Sequence, residues 1–307
     1  MKKTILITGG AGFIGSHLAE SLVQESHVIV IDNLSTGCIS NLNGILDRIE
    51  FKKDDVELVN LFELGKIDVI VHLSAQTSVP LSIEEFKKSS NQNLSGTLNI
   101  IDFCSKNSVP IVYASSSAVY GNLSIGDDAS SEVDLITPYA VDKYAMEKYL
   151  EMSYKLYGLS SIGLRFFNVF GPRQDPTNPY SGVISIFIDN LISGKKIQVN
   201  GGYQTRDFIY VLDVVEAINK SIELVINKPI FDVVNVLSGN SYSIDELVEV
   251  LARLTRAKPK IERMILPKGD PEKSCGTVEK MFSILGIRSS RMTTLELGLR
   301  KIIENTF

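Results

Sequence analysis

Short runs of apolar and β-branched residues recur through the first half of the chain, and segments with helical periodicity separate them. Such near-continuous apolar runs are typical of strands buried on both faces of a parallel sheet. Five runs predict strands: Ile5–Thr8, Val28–Asp32, Ile49–Lys52, Val69–Leu73 and Ile111–Ser115. Strand–helix alternation from residue 2 to about 168 therefore predicts an α/β fold with a doubly wound parallel sheet.

A further helix is predicted to start at Thr137 and Pro138. Thr is a favoured N-cap residue, and Pro at the first helical position has no amide hydrogen to leave unpaired. The helical pattern continues to about residue 157, and a loop rich in Pro, Asn and Asp follows Gly171 and Pro172. We predict a first domain over residues 1–170 and a smaller α/β lobe over 171–307, although later segments can rejoin the first domain.

Composition mainly excludes other classes of protein. Apolar residues make up 44% of the chain and charged residues 22%, and a net charge of −5 argues against a nucleic-acid surface. Cys38, Cys104 and Cys275 have neither disulfide nor metal-ligand spacing, which fits a reducing compartment. The apolar run at Ile5 is too short for a signal peptide or a membrane span. We expect a cytoplasmic protein without a bound metal.

The first strand leads into TGGAGFIG at residues 8–15, which satisfies the G-x-G-x-x-G spacing. Glycines permit a tight turn and let a pyrophosphate approach the helix N-terminus, whose free amides favour anions. Asp32 ends the second strand, where a carboxylate accepts hydrogen bonds from a ribose and repels a 2′-phosphate. The pattern favours a Rossmann domain that binds NAD rather than NADP. A glycine-rich structural turn followed by an ordinary loop aspartate is the alternative.

Tyr139 and Lys143 lie four residues apart on the predicted helix and so share one of its faces. A nearby ammonium, a cationic nicotinamide and the helix N-terminus would each lower the pKa of the phenol. Tyr139 can then remove a hydroxyl proton while hydride leaves the same carbon. The fifth strand ends in a Ser-rich stretch, where a hydroxyl can bond the reacting oxygen. A surface Tyr beside a solvated Lys is the alternative.

With these motifs, nearly the whole chain resembles the NAD-dependent epimerase/dehydratase family of extended short-chain dehydrogenases. The matching stretches are Thr8–Gly15, Asp32–Gly37, His72–Gln76, Asn93–Asn99, Ser115–Gly121, Tyr139–Lys143, Arg165–Arg173 and Arg206–Val214. Within the family, the chain is most similar to epimerases that invert C4 of a UDP-hexose.

The resemblance implies a set of residues that bind NAD, grouped here by the part of the cofactor that each would contact. They are Gly9, Gly12, Phe13, Ile14 and Gly15 at the pyrophosphate; Asp32, Asn33, Ser35, Thr36 and Gly37 at the adenosine ribose; Asp55 and Val56 at the adenine; Leu73, Ala75, Gln76 and Asn93 at the nicotinamide end; and Phe167, Tyr139 and Lys143.

The resemblance also implies residues for a UDP-sugar substrate. The catalytic set is Ser116, Tyr139 and Lys143, and the further substrate contacts are Ser117, Asn168, Arg206 at the diphosphate, and Ser274. Ser274 stands where relatives restricted to glucose and galactose often carry Tyr, so a small residue leaves room for a C2 acetamido group. Room for that group does not require it, so both N-acetylated and plain hexoses stay open.

The residues beside Ser116 bear on the reaction type. In 4,6-dehydratases of the family, Asp and Glu follow the hydroxyl residue, whereas this chain has Ser117 and Ala118, which cannot act as acids. The resemblance therefore implies a 4-epimerase of UDP-GlcNAc/UDP-GalNAc or UDP-Glc/UDP-Gal that passes through a 4-keto sugar. The alternatives are a UDP-glucuronate 4-epimerase, a reductase of a keto-sugar nucleotide, and a non-enzymatic NAD-binding sensor.

Three positions depart from the family pattern. Pro267 stands where relatives usually place a diphosphate-binding Arg, a loss for which Lys268 or Arg263 would compensate. Asn200 stands where many relatives stack an aromatic ring on uracil. Asp142 replaces the usual Ser inside Y-x-x-x-K, and we expect it to face away from the Tyr139–Lys143 face. The resemblance also implies a homodimer, formed through the helix at 92–107 and the helix that begins at Thr137.

Overall fold

The computed structural model describes residues 2–177, 182–267 and 269–304. Its main sheet has seven strands, which are β1 Thr4–Thr8, β2 His27–Ile31, β3 Glu50–Lys52, β4 Val69–His72, β5 Ile111–Ser116, β6 Ser161–Phe166 and β10 Phe231–Val236. Their order across the sheet is β10-β6-β5-β4-β1-β2-β3. The pairings of β1 with β2 and β4, of β2 with β3 and of β4 with β5 are parallel. The predicted α/β class and all five predicted strands are confirmed.

Helices lie between these strands and after them. They are α1 Phe13–Leu22, α2 Val79–Glu84, α3 Phe86–Asn107, α4 Pro138–Tyr157, α5 Val183–Ile192, α6 Val211–Asn227, α7 Ile244–Thr255, α8 Glu279–Leu285 and α9 Leu295–Glu304. Two small sheets use the remaining strands, which are β7 Asn168–Phe170, β8 Lys196–Asn200, β9 Thr205–Tyr210, β11 Ser241–Ser243 and β12 Lys260–Met264. Among the described residues, no helix is both long and apolar enough to cross a membrane.

The chain forms two compact units that interleave along the sequence. One unit comprises residues 1–116, 137–165 and 215–234, and the other comprises 117–136, 166–214 and 235–307. The first unit holds the main sheet, with α1, α3 and α4 packed against its strands. The second holds the three-stranded sheet β11-β9-β7 and the pair β12-β8. A functional division at residue 170 stays a prediction.

Local signals fix the ends of α4. The Thr137 side chain accepts a hydrogen bond from the Ala140 amide at 3.2 Å, and Pro138 is the first helical residue. Gly158 ends the helix with a φ of 68°, a conformation that costs glycine little. Because both ends are fixed, Tyr139 lies in the first turn, at the positive end of the helix dipole.

Candidate functional site

In the loop between β1 and α1, backbone atoms approach so closely that only glycine fits at some positions. Gly9 has a φ of +70°, and a Cβ there would lie 2.9 Å from the Ser74 amide nitrogen. A Cβ on Gly15 would collide with the Gly9 carbonyl oxygen. Gly12 is the N-cap of α1, and no side chain caps that end. Phe13 and Ile14, both half-buried, form the first turn. The free amides fit the pyrophosphate of a dinucleotide.

Asp32, at the end of β2, is buried and anchored. Its carboxylate accepts hydrogen bonds from the Ala11 amide at 2.9 Å and from the Leu34 amide at 2.8 Å. A Cβ on Gly37 would come within 2.9 Å of both carboxylate oxygens, so the next turn passes close to Asp32. A carboxylate held there suits the ribose hydroxyls of NAD and disfavours the 2′-phosphate of NADP.

Other predicted adenosine contacts lie beside Asp32. The Asn33 side chain donates to Asp55 at 2.9 Å and accepts from the Ser35 amide at 2.9 Å, while Ser35 and Thr36 are exposed. Unlike the exposed Ser35 and Thr36, Val56 has its side chain in the apolar core, and its carbonyl accepts a hydrogen bond from Asn99 at 2.8 Å.

The segment after β4 is tied to α3. The Asn93 side chain accepts from the Gln76 amide at 2.8 Å and donates to the Gln76 carbonyl at 3.2 Å. Leu73, Ala75 and Gln76 are half-buried, whereas Asn93 is buried. Leu73, Ala75 and Gln76 therefore lie in one loop, residues 73–78, which we call the β4 loop and which Asn93 of α3 holds by hydrogen bonds.

Ser116, Tyr139 and Lys143 come together at the carboxyl end of β5. The side chain of Ser116 hydrogen-bonds the Tyr139 phenol, and the Lys143 ammonium lies 5.8 Å from the centre of the phenol ring. Lys143 is held by a 2.8 Å hydrogen bond to the Ala114 carbonyl, while the Tyr139 amide donates to the Ser82 hydroxyl at 3.3 Å. Tyr139 and Lys143 are both buried. This arrangement places a proton acceptor, a hydroxyl donor and a cation together.

Burial shifts the pKa values of both Tyr139 and Lys143. Burial raises the pKa of Tyr139 above its ordinary value, the Ser116 hydrogen bond lowers it, and the negative charge of Asp142 raises it. Burial also lowers the pKa of Lys143 to about 8. Burial of the phenol therefore outweighs the Ser116 hydrogen bond. The predicted lowering of the pKa of Tyr139 includes the positive charge of the nicotinamide and stays a prediction.

His72 is a neutral member of the same network. Thr8 accepts from the Leu73 and Ser74 amides, so its hydroxyl hydrogen is free to bond His72 Nδ1 at 2.8 Å. Thr97 donates to the Asn93 carbonyl and so accepts from His72 Nε2 at 3.1 Å. These directions assign the Nε2–H tautomer. Burial and the charge of Lys143 lower the pKa of His72 to about 3.

The lowered pKa of His72 predicts a specific loss of stability in acid. Below its ordinary value of 6.5, the unfolded chain binds a proton that the folded chain refuses until about pH 3. This one group should reduce the free energy of unfolding by about 1.4 kcal/mol per pH unit across that window, and not above it. Urea unfolding at pH 7.5, 6 and 5 should show a shallower decline in His72→Gln than in the wild type. Parallel declines would contradict the assignment.

The predicted substrate residues of the second unit form a separate cluster. Residues 272–274 run beside β9, since Ser274 exchanges backbone hydrogen bonds with Thr205 and Asp207 at 3.0 Å. The side-chain nitrogen of Asn168 donates to the Ser274 hydroxyl at 3.5 Å. Arg206, which is buried, pairs with the Asp270 carboxylate and donates to the Thr205 carbonyl. Asn168, Arg206 and Ser274 are thus neighbours, and Asp270 is an added member.

The hydrogen bonds named for that cluster do not involve two other predicted residues of the second unit, Phe167 and Ser117. Phe167 is buried, its amide donates to the Val236 carbonyl at 3.1 Å, and its ring lies 6.3 Å from that of Tyr120. Ser117 begins the short 3-10 helix Ser117–Tyr120 and is half-buried.

The departures from the family pattern fall into three cases. Asn200 and Pro267 are exposed. Arg263, expected to compensate for Pro267, pairs instead with Asp245 at 2.6 Å, while Lys268 lies outside the described residues. The expectation for Asp142 is wrong, because its side chain is buried and accepts a hydrogen bond from Asn93 at 3.2 Å.

Comparison with known proteins agrees with this geometry. Residues 5–236 match the model of the NAD dependent epimerase/dehydratase family. A UDP-N-acetylglucosamine 4-epimerase from Methanobrevibacter ruminantium, solved with UDP-N-acetylmuramic acid, is 33% identical, with a TM-score of 0.92 over 99% of this chain and 98% of that one. A UDP-glucose 4-epimerase from Thermotoga maritima, solved with UDP-glucose, is 32% identical, with a TM-score of 0.91 over 99% and 98%.

A third relative has a different activity. A UDP-N-acetyl-alpha-D-glucosaminuronate decarboxylase of Bacillus cytotoxicus is 36% identical over 288 residues, which cover 88% of this chain and 86% of that protein.

The site residues define the class of protein. An α/β oxidoreductase site for a dinucleotide is formed by the glycine loop, the anchored Asp32 and the buried Tyr139–Lys143 pair. The chain belongs to the NAD dependent epimerase/dehydratase family, and NAD is its cofactor.

Proposed function

We propose that the protein is a 4-epimerase of a UDP-hexose, either UDP-GlcNAc/UDP-GalNAc or UDP-Glc/UDP-Gal, with Ser116, Tyr139 and Lys143 as its catalytic residues. One observation carries the proposal: half-buried Ser116 and buried Tyr139 and Lys143 lie together, with Ser117 and Ala118 in place of acidic neighbours. Without such an acid, elimination of water from the sugar has no proton donor beside the hydroxyl residue. Oxidation and re-reduction at one carbon need none.

In the proposed reaction, Tyr139 accepts the proton of the C4 hydroxyl and Ser116 donates a hydrogen bond to the same oxygen. NAD, when bound, supplies the acceptor for the hydride and a positive charge near the phenol. Lys143, fixed by the Ala114 carbonyl, adds an ammonium that favours the phenolate. The keto sugar turns, its other face is reduced, and Tyr139 returns the proton. Arg206 is proposed to bind the diphosphate, since its fork of donors matches phosphate oxygens.

The proposal predicts turnover without added cofactor. The purified protein is incubated with UDP-Glc, UDP-GlcNAc and UDP-glucuronate separately, and NMR follows the anomeric protons with time. We expect the C4 epimer of UDP-Glc or UDP-GlcNAc to accumulate to a constant ratio. Conversion of UDP-glucuronate alone would favour the sibling activity. No conversion of any of the three, or stoichiometric consumption of NADH, would contradict the proposal.

A homodimer formed through α3 and α4 belongs to the same proposal. The two helices pack together in the first unit, yet α4 exposes Tyr149, Met152, Leu156 and Tyr157, and α3 exposes Leu98. Apolar side chains in such numbers on adjacent helices are typical of a protein–protein interface.

A cytoplasmic location is also part of the proposal. It is supported by the three cysteines, all of which are free thiols.

Replacement of Leu156 by Asp should dissociate this dimer. Leu156 is 65% exposed, so the folded monomer tolerates a charge there, whereas an apolar interface does not. Light scattering coupled to gel filtration should give twice the chain mass for the wild type and the single chain mass for the variant. As a control, Leu58→Asp changes an exposed Leu outside α3 and α4 and should leave the dimer intact. A wild-type monomer at micromolar concentration would contradict the proposal.

A further inference from the structure

Asp142 is a buried carboxylate inside the catalytic motif that the proposed reaction does not use. Only 4% of the residue is exposed, although it lies on the same helix as Tyr139 and Lys143. A buried carboxylate is costly unless its oxygens find donors or a cation. The question is therefore which groups hold Asp142, and what they do in turn.

One donor is Asn93 of α3, whose side-chain nitrogen and oxygen both form hydrogen bonds, and the Ser90 hydroxyl of the same helix also lowers the pKa of Asp142. The Asn93 oxygen accepts from the Gln76 amide at 2.8 Å. Its nitrogen donates to the Gln76 carbonyl and to the Asp142 carboxylate, both at 3.2 Å. An amide nitrogen has two hydrogens, so both are used.

The carboxylate reinforces the orientation of the Asn93 side-chain amide. The Gln76 amide needs the Asn93 oxygen and the Gln76 carbonyl needs the Asn93 nitrogen. An ionised carboxylate only accepts hydrogen bonds, so Asp142 adds a third bond that favours the same orientation. A hydroxyl at position 142 could donate or accept and would add no such preference. The β4 loop continues the network, since the Gln76 side chain donates to the Ser78 carbonyl and to the Ser89 hydroxyl, both at 3.1 Å.

We propose that Asp142 is a positioning residue of the oxidoreduction site, which acts through Asn93 to hold the β4 loop and also sets the charge around Tyr139 and Lys143. This proposal deepens the proposed function and depends on it only for the second effect. The first effect concerns the loop expected at the nicotinamide end of NAD.

The electrostatic effect has a definite sign. The negative charge of Asp142 raises the pKa of Tyr139 and raises that of Lys143. Among the described residues, the other groups that face them are His72 from β4, which is neutral, and uncharged side chains: Ser116 from β5, Ser82 from α2, and Ser90 and Asn93 from α3. Removal of the carboxylate charge therefore favours the phenolate and disfavours the ammonium.

Two variants separate the two effects. Asp142→Asn keeps an acceptor for Asn93 and removes the charge, whereas Asp142→Ala removes both. In the Ala variant, hydrogen exchange at the Gln76 amide should become about tenfold faster, because Asn93 loses one of the three hydrogen bonds that hold its side chain. Its affinity for NADH, measured by nicotinamide fluorescence, should fall several-fold. The Asn variant should retain most of the wild-type protection and affinity. Neither measurement requires turnover, so both hold even if the protein does not epimerise UDP-sugars.

The pH profile of kcat tests the charge. In Asp142→Asn both limbs of the profile should move by about one unit to lower pH. Glu151→Gln is the matched control, since it removes a carboxylate from the same helix that pairs with Lys148 and Lys155, and its profile should coincide with the wild type. Wild-type exchange and NADH affinity in Asp142→Ala would overturn the positioning role. If that variant does not fold, an unshifted profile in Asp142→Asn overturns the proposal.

Discussion

Replacement of Tyr139 by Phe is expected to lower kcat for C4 epimerisation about 10³-fold, while the protein still folds and binds NADH. The phenol oxygen is the only group of the proposed catalytic set that can both accept the C4 proton and return it. Ser116 is hydrogen-bonded to that oxygen, and an uncharged hydroxyl is a far weaker base. Loss of one hydroxyl from a closely packed site leaves the ring and its contacts in place.

The matched control is Tyr154→Phe, which removes a phenol from the same helix, where the ring stacks on Phe231 at 6.1 Å. This variant should retain wild-type kcat. NMR assays of both variants, with NADH fluorescence and thermal unfolding as checks on the site and the fold, separate catalysis from structure. A Tyr139→Phe protein with more than a tenth of wild-type kcat would exclude the phenol as the proton acceptor.

Replacement of Lys143 by Met should lower kcat about 100-fold or more, with a small effect on thermal stability. Lys143 is buried beside the phenol, and its ammonium lies 5.8 Å from the centre of the Tyr139 ring. Its removal takes a positive charge away from a phenol whose pKa burial already raises, so less phenolate forms at neutral pH. Met fills the same volume without burying an unpaired charge.

The expected signature of Lys143→Met is a displaced pH profile as well as a lower rate. The limb that reports deprotonation of the phenol should move to higher pH, opposite to the shift expected for Asp142→Asn. Lys148 lies five residues further along α4, and its ammonium lies over the Tyr144 ring. Lys148→Met removes that ammonium and should leave the pH profile of kcat unchanged. An unchanged kcat in Lys143→Met would show that the cation is dispensable.

Local signals in the sequence predicted the elements that carry the site. The five strands and the ends of α4 were accessible because apolar runs, a Thr N-cap, a Pro and a terminal Gly each act on their immediate neighbours. The glycine loop and Asp32 were accessible for the same reason, since one short segment contains the turn, the strand and the helix start.

Contacts between distant segments were beyond that reasoning. The Asn168–Ser274 contact joins residues 106 positions apart, and Asn93 meets Asp142 across 49 positions. The pairing of Arg206 with Asp270 is of the same kind. Burial was equally inaccessible, which is why the sequence did not predict the desolvation that raises the pKa of Tyr139.

The orientation of Asp142 could have been predicted. A helix turns about 100° per residue, so a residue three positions after Tyr139 lies only about 60° away from it around the axis. Asp142 therefore points to the side of the helix on which Tyr139 lies, and not away from it.

The central claim is that hydride leaves and returns to the same sugar carbon while Tyr139 manages the proton. A UDP-hexose that the protein converts, deuterated at C4, tests it directly when NMR follows the product in ordinary water. The account predicts a product that keeps its deuterium at C4 and forms more slowly than from the unlabelled sugar. Loss of the deuterium to solvent, or its appearance at another carbon, would contradict oxidation and re-reduction at C4.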